Sequence, residues 1–244
     1  MRIGLIIAVR LVNEMSEKAV RNARTFSRPG TPVVVVFNGI DESPPCVPFQ
    51  APEGVTAVVV GEPLKSEMGY WRWAFAYAME QKWDWAGVWH DDFMIEEPGW
   101  EDELERGAKF RIAIAGLDSR RRIDYPGGCP GTDAIQGEVA AFNDGDSIIF
   151  NMAVFGPLGA FTECGDTYGG GDLDAACWAA ENSYGVWPIL LKSVHHPDYV
   201  KNTRERSYFG YSTTAVCDKW RHVFPIVCTG ARTVSTAGRE YSIE

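Results

Sequence analysis

No apolar run in this chain approaches the roughly 18 residues that a membrane-crossing helix requires. The first residues, MRIGLIIAVR, have too short an apolar core for a secretory leader and read straight into a strand. An intracellular, cytoplasmic protein with no membrane span is therefore expected. The chain also lacks any Cys-x-x-Cys or other zinc-type spacing. Its six cysteines (Cys46, Cys129, Cys164, Cys177, Cys217 and Cys228) are scattered and read as buried or partly buried free thiols. There is no excess of positive charge: the formal net charge is −10, which argues against a general polyanion binder. No glycine-rich basic loop follows the first apolar run, which continues as AVRLVNEMSEK, and this argues against a nucleotidyltransferase phosphate loop. Internal repeats and flexible linkers are absent as well.

What is present is an ordinary globular composition, 45% apolar and 23% charged over 244 residues, enough for one large domain with a sizeable core. Residues 3–9, IGLIIAV, and 32–37, PVVVVF, read as buried strands, and 13–26 between them as a helix stopped by Arg28-Pro29-Gly30. A proline-rich loop leads to a third strand at 55–60. A helix at 66–81 carries Tyr70, Trp71, Trp73, Phe75 and Tyr77, a stripe that reads as core or as a platform for a sugar face. A fourth strand covers 85–90. Further apolar runs at 111–117 and 147–155 enclose a glycine-rich stretch, YPGGCPGTDAIQG. Strands alternating with helices predict an α/β domain with a mostly parallel, doubly wound sheet and helices on both faces. The expected organisation is a single domain over 1–244: a nucleotide-binding half (1–110), an acceptor half (111–222) and a C-terminal tail (223–244).

The fourth strand ends in Asp91-Asp92. Ligands of such sheets bind beyond the carboxyl ends of the strands, and ionised carboxylates there need a positive partner. Hard divalent cations, Mg2+ or Mn2+, take such oxygen donors together with substrate phosphates; a helix cap plus a surface carboxylate is the plainer alternative. The stretch WHDDFMIEEPGWEDEL resembles the metal-binding signature of family 2 glycosyltransferases, whose rhamnosyltransferase-like members read apolar-Asn-Asn-Asp, three apolar residues, then Pro and Trp before a helix. His90-Asp91-Asp92 occupies the place of the polar triplet, and Pro98 and Trp100 open the following helix. FGPLGAFTECGDTYGGGDLDAACWAAENSYGVWPILLKSVHH resembles the acceptor half of that family, through Phe155, Gly159, Phe161, Thr162, Glu163, Gly171-Asp172-Leu173-Asp174, Gly185 and His195 or His196. Lys219-Trp220 resembles a late Lys-Trp. The likeness spans roughly residues 3–220.

The resemblance implies a GT-A fold and transfer of a sugar from a nucleoside diphosphate, UDP by default, usually with inversion, to a glycan or other hydroxyl acceptor. It implies Asp92, Asp91 and His195 as metal ligands and Asp172 as general base, with Asp174 positioning an acceptor hydroxyl; Asp172 as helix cap and Asp174 as a first-turn acid are the structural alternatives. Arg10, Asn38, Asp41, Lys65, Arg72 and Asp91 fall where the donor would lie. The chain departs from the family in three places. Phe37 stands where an acid usually precedes Asn-Gly, and Ala8-Val9-Arg10 replaces Pro-x-Tyr-Asn. Gly171 replaces the Glu before the base. Arg120-Arg121-Arg122, Lys192, Lys201, Arg204, Arg206, Lys219 and Arg221 give the second half basic stretches, which read as solvated faces or as contacts to an anionic acceptor. A hydroxylated base in nucleic acid is thus a possible but not favoured acceptor, and a catalytically silent sugar- or nucleotide-binding module is the remaining alternative.

Overall fold

The computed structural model describes residues 1–9, 12–37, 49–60, 67–117, 121–124, 138–141, 147–158, 171–189, 191–195, 226–229, 233–236 and 239–242. Strands β1 (Ile3–Val9), β2 (Val33–Phe37), β3 (Val55–Val59) and β4 (Trp85–His90) pair in parallel in the order β3-β2-β1-β4. After β4 come β5 (Phe93–Ile95), β6 (Ile112–Gly116), the antiparallel pair β7 (Arg121–Asp124) and β8 (Glu138–Ala141), then β9 (Ser147–Asn151), β10 (Gly185–Pro188) and β11 (Ser193–His195). The main sheet has seven strands in the order β10-β6-β9-β4-β1-β2-β3. Only β9 runs against the rest, wedged antiparallel between β4 and β6. The expected α/β class holds, and the expected apolar run at 147–155 divides into β9 and a short helix.

The helices are α1 (Glu14–Phe26), α2 (Glu67–Glu80), α3 (Trp100–Gly107), α4 (Met152–Phe155) and α5 (Gly171–Glu181). Alternation along the strands feeds two cores. Ile6, Val34, Val36, Ala86 and Val88 face α2, α4 and α5, while Leu5, Ile7, Val33, Val35 and Trp89 face α1, α3 and β5. Each large apolar side chain so removed from water contributes on the order of 1.5–3 kcal/mol. In α2 the buried residues Tyr70, Trp71, Ala74, Phe75 and Ala78 recur at helical spacing, so this stripe is core. Trp73 is half-buried and stacks on Tyr77 with ring centroids 5.2 Å apart. The Tyr70 hydroxyl is directed to the carbonyl oxygens of Ile6 (3.0 Å) and Trp89 (3.3 Å).

Helix α1 starts with a capping box: the Ser16 N–H donates to Asn13 Oδ1 at 2.9 Å and the Asn13 N–H to Ser16 Oγ at 3.0 Å. Helix α3 is entered through Gly99, whose φ of 107° favours a residue without a Cβ. Within the expected C-terminal tail, β12 (Ile226–Thr229), β13 (Thr233–Thr236) and β14 (Arg239–Ser242) form a three-stranded antiparallel sheet. Among the described residues no helix is long and apolar enough to cross a membrane.

Candidate functional site

Because β1, β2, β3, β4, β6 and β10 are parallel, their carboxyl ends share one edge of the sheet. His90 ends β4, the middle strand, and Asp91-Asp92 form the turn from which β5 folds back. Asp92 is 7% exposed, and His90 and Asp91 are half-buried. Behind the turn the Trp89 ring meets Phe93 edge-on at 5.5 Å and Trp100 at 5.3 Å, which makes the floor of this edge rigid and apolar.

A second strand reaches the same turn. Strand β11 pairs antiparallel with β5 in the register Ser193↔Ile95, Val194↔Met94, His195↔Phe93. His195 therefore stands opposite the residue that follows Asp92. The Glu96 N–H donates to the Lys192 carbonyl at 2.8 Å, and the Lys192 N–H to Glu97 Oε1 at 2.7 Å, so the strap is held at its entry as well. On its other side β5 is gripped by Asn22 of α1, whose amide exchanges two hydrogen bonds with the backbone of Ile95. Neither Asn22 nor Glu97 was anticipated from sequence. The available signal was an asparagine inside a helix, a residue that is usually there because its side chain bonds elsewhere.

The acceptor side arrives by topology. Helix α5 is followed after a short turn by β10, which starts at the amino edge of the sheet. The amino-terminal turn of α5, with the backbone of Asp172, thus points to the carboxyl edge where Asp91-Asp92 sit. Asp174, in the first turn of α5, is fully buried, and Ala175, Ala176 and Ala179 of the same helix belong to the core. Arg72 is exposed on α2. The side chains of Asp172 and His195 are not described, and Arg10, Asn38, Asp41, Lys65 and His196 lie outside the described residues. Among the described residues no group of three His, Cys, Asp or Glu side chains forms a metal cluster.

A different acidic group follows in sequence, on α3. Glu101 is 1% exposed and accepts from the Arg28 N–H at 2.8 Å and the Thr31 hydroxyl at 3.1 Å. Burial pushes its carboxyl above the usual value, and those donors pull it back. The Arg28 guanidinium bridges Glu105 at 2.5 Å and also Asp102. The Glu105 carboxyl is held low by Arg28, and hydrogen bonding to Glu105 in turn holds the guanidinium above its ordinary value.

The chain matches no protein-family model and no curated protein by sequence. In fold it is similar to the mannosyltransferase PcManGT from Pyrobaculum calidifontis, solved in complex with GDP-Man and Mn2+, with a TM-score of 0.51 and 14% identity over 78% of this chain and 55% of that one. It is also similar to S. aureus TarS 1-349, with a TM-score of 0.53 and 11% identity over 79% of this chain and 59% of that one. The same TarS segment in complex with UDP gives a TM-score of 0.50 at 12% identity. The chain thus spans 55% of the PcManGT chain and 59% of the TarS 1-349 segment. At such identities the likeness is one of fold, and the fold is GT-A-like.

Proposed function

We propose that this chain is a metal-dependent glycosyltransferase that moves a sugar from a nucleoside diphosphate, UDP by default, to an acceptor hydroxyl with inversion. The observation that carries this reading is the Asp91-Asp92 turn at the carboxyl end of the middle strand. Its donor set suits the group: carboxylate oxygens fit Mg2+ or Mn2+, with the donor's diphosphate and water supplying the remaining ligands. The fold likeness to proteins solved with GDP-Man and Mn2+ or with UDP supports the choice. A cation held there would stabilise the charge that develops on the leaving diphosphate.

Asp92 and Asp91 are the proposed ligands from the β4–β5 turn, and His195 the proposed third ligand from β11. Arg10, Asn38, Asp41, Lys65 and Arg72 are the proposed donor contacts. Asp172 takes the proton of the acceptor hydroxyl as its oxygen attacks the anomeric carbon from the side opposite the diphosphate. Asp174 orients that hydroxyl. The proposed acceptor is a glycan or another hydroxyl compound, the halves at 1–110 and 111–222 hold donor and acceptor, and the compartment is the cytoplasm.

A panel of sugar nucleotides, each with and without Mn2+, read by thermal shift, tests the reading. A UDP-sugar near 100 times its Kd adds about 2.7 kcal/mol of stability, several degrees in Tm, and only with the metal present. The same shift in excess chelator would sink the metal site, and no shift with any sugar nucleotide would sink the donor site. Duplex DNA binding with a steep salt slope would move the acceptor to nucleic acid.

A further inference from the structure

Asn22 lies inside α1, where asparagine is among the poorer helix formers. Its Nδ2 donates to the Ile95 carbonyl at 2.8 Å and its Oδ1 accepts from the Ile95 N–H at 2.8 Å. The side-chain amide thereby acts as a neighbouring strand for one residue of β5. The opposite edge of β5 belongs to β11. Two strands of three residues each are marginal by themselves; Phe93 and Ile95 anchor β5 in the core, and Asn22 adds a polar tie that fixes its backbone to a rigid helix. From Ile95 the chain runs back through Met94 and Phe93 to Asp92, and across the ladder from Phe93 to His195. One amide therefore fixes the backbone of the strand that leads from the aspartate turn and carries β11 on its other edge.

We propose that Asn22 is a positioning residue for the Asp91-Asp92 half-site: by fixing Ile95 it sets where the turn sits and which residue of β11 stands beside it. This rests on reading that turn as the site of a divalent cation and diphosphate. Such cations tolerate little error in ligand placement, so a strand held on one side only would degrade the site without unfolding the sheet. The competing account is a simple edge cap, which closes β5 and does nothing for ligands.

The test uses the intact chain and its Asn22→Ala and Asn22→Asp variants, with folding checked by far-UV circular dichroism. Amide hydrogen exchange is measured for Met94 and Val194, which Asn22 does not touch, and Mn2+ is titrated in the presence of UDP. The expected result for Asn22→Ala is exchange at Met94 and Val194 at least tenfold faster, with β1 and β2 unchanged. The Mn2+ Kd should rise roughly 10- to 100-fold, the usual effect of losing a residue that orients metal ligands. If the Ala variant fails to fold, Asn22→Asp takes its place, since it keeps the acceptor for the Ile95 N–H and loses only the donor. Unchanged exchange at Val194 overturns the proposal, as does faster exchange with an unchanged Mn2+ Kd, which leaves an edge cap. A wild-type protein that binds no Mn2+ with UDP, and whose Asp92→Asn variant behaves identically, brings down the metal reading first and the positioning role with it. In that event exchange at Val194 still reports whether Asn22 holds the strap.

Discussion

The stretch HDDFMIEEPGWEDELERG, residues 90–107, contains two groups of acids that the fold treats in opposite ways. Glu101, Asp102 and Glu105 on α3 are met by Arg28 and Thr31, from the α1–β2 connection at the amino edge of the sheet. Asp91 and Asp92 sit at the other edge, beyond the carboxyl end of β4. Residue type is the same and the separation along the chain is small; the edge of the sheet makes the difference. At the amino edge, carboxylates are wired to the protein's own cation and serve as struts. At the carboxyl edge they stand where α/β sheets carry their chemistry. Substitutions should separate the two groups cleanly, with ligand phenotypes for one and stability phenotypes for the other.

The largest effect is expected from Asp92→Asn. The shape is kept while the charge is lost, so the fold should survive and metal-dependent nucleotide binding should vanish, with transfer down by about 10³-fold. Calorimetric titration of UDP in Mn2+ measures it, and wild-type affinity would make Asp92 another strut. Next comes Asp172→Asn, at the start of α5. As general base, its loss should leave donor and metal binding intact and cut transfer by roughly 10²-fold or more. As a helix cap, Asn would serve about equally well. Near-wild-type transfer would discard Asp172 and turn attention to the buried Asp174.

Arg28→Ala addresses the other side of the comparison. The guanidinium ties α3 to the α1–β2 connection through partly exposed pairs, each worth at most about 1 kcal/mol. Tm should fall by roughly 2–4 °C, with UDP and Mn2+ affinities unchanged. A loss of ligand affinity comparable to that of Asp92→Asn would erase the distinction between the two acidic groups.

Much of this comparison was legible before any coordinates. The strand at 85–90 and the aspartates at its end follow from an apolar run that stops in charge, and the expected helix at 13–26 was one residue too long at its start, where Asn13 is the cap. Other features were out of reach. A buried strand such as SIIF is apolar whichever way it runs, so the antiparallel direction of β9 left no mark. VVVVF and VTAVV look alike, yet β2 is wholly buried while β3 is an edge strand with Val59 65% exposed. Pairing of β5 with β11 joins two three-residue strands about a hundred residues apart, below the length at which periodicity speaks. The clamp by Asn22 depends on that pairing and was equally hidden.

The smallest effect is expected from Glu101→Gln, and its sign depends on pH. Burial raises the Glu101 carboxyl above its ordinary 4.5, opposed by the backbone N–H groups of Arg28 and Glu101 and the Thr31 hydroxyl. An acid raised by folding holds its proton more tightly in the folded than in the unfolded chain. Between the ordinary and the raised value the folded state therefore binds more protons, and stability falls as pH rises through that window. Glutamine keeps a carbonyl oxygen that can accept from the Arg28 N–H and Thr31, and it does not titrate. Relative to wild type, the Gln variant should gain as pH rises through the window and lose ground as pH drops toward 4.5. The expected difference is about 1–3 °C in Tm, measured for both proteins from pH 4 to 8. Glu105, held low by Arg28, tilts the absolute curves the other way in acid, and it is common to both proteins, so the difference isolates Glu101. A difference that does not change with pH would mean that folding leaves the Glu101 carboxyl at its ordinary value, the donors from Arg28 and Thr31 cancelling the effect of burial. The strut at the amino edge of the sheet would then hold equally well whether or not that carboxyl is charged.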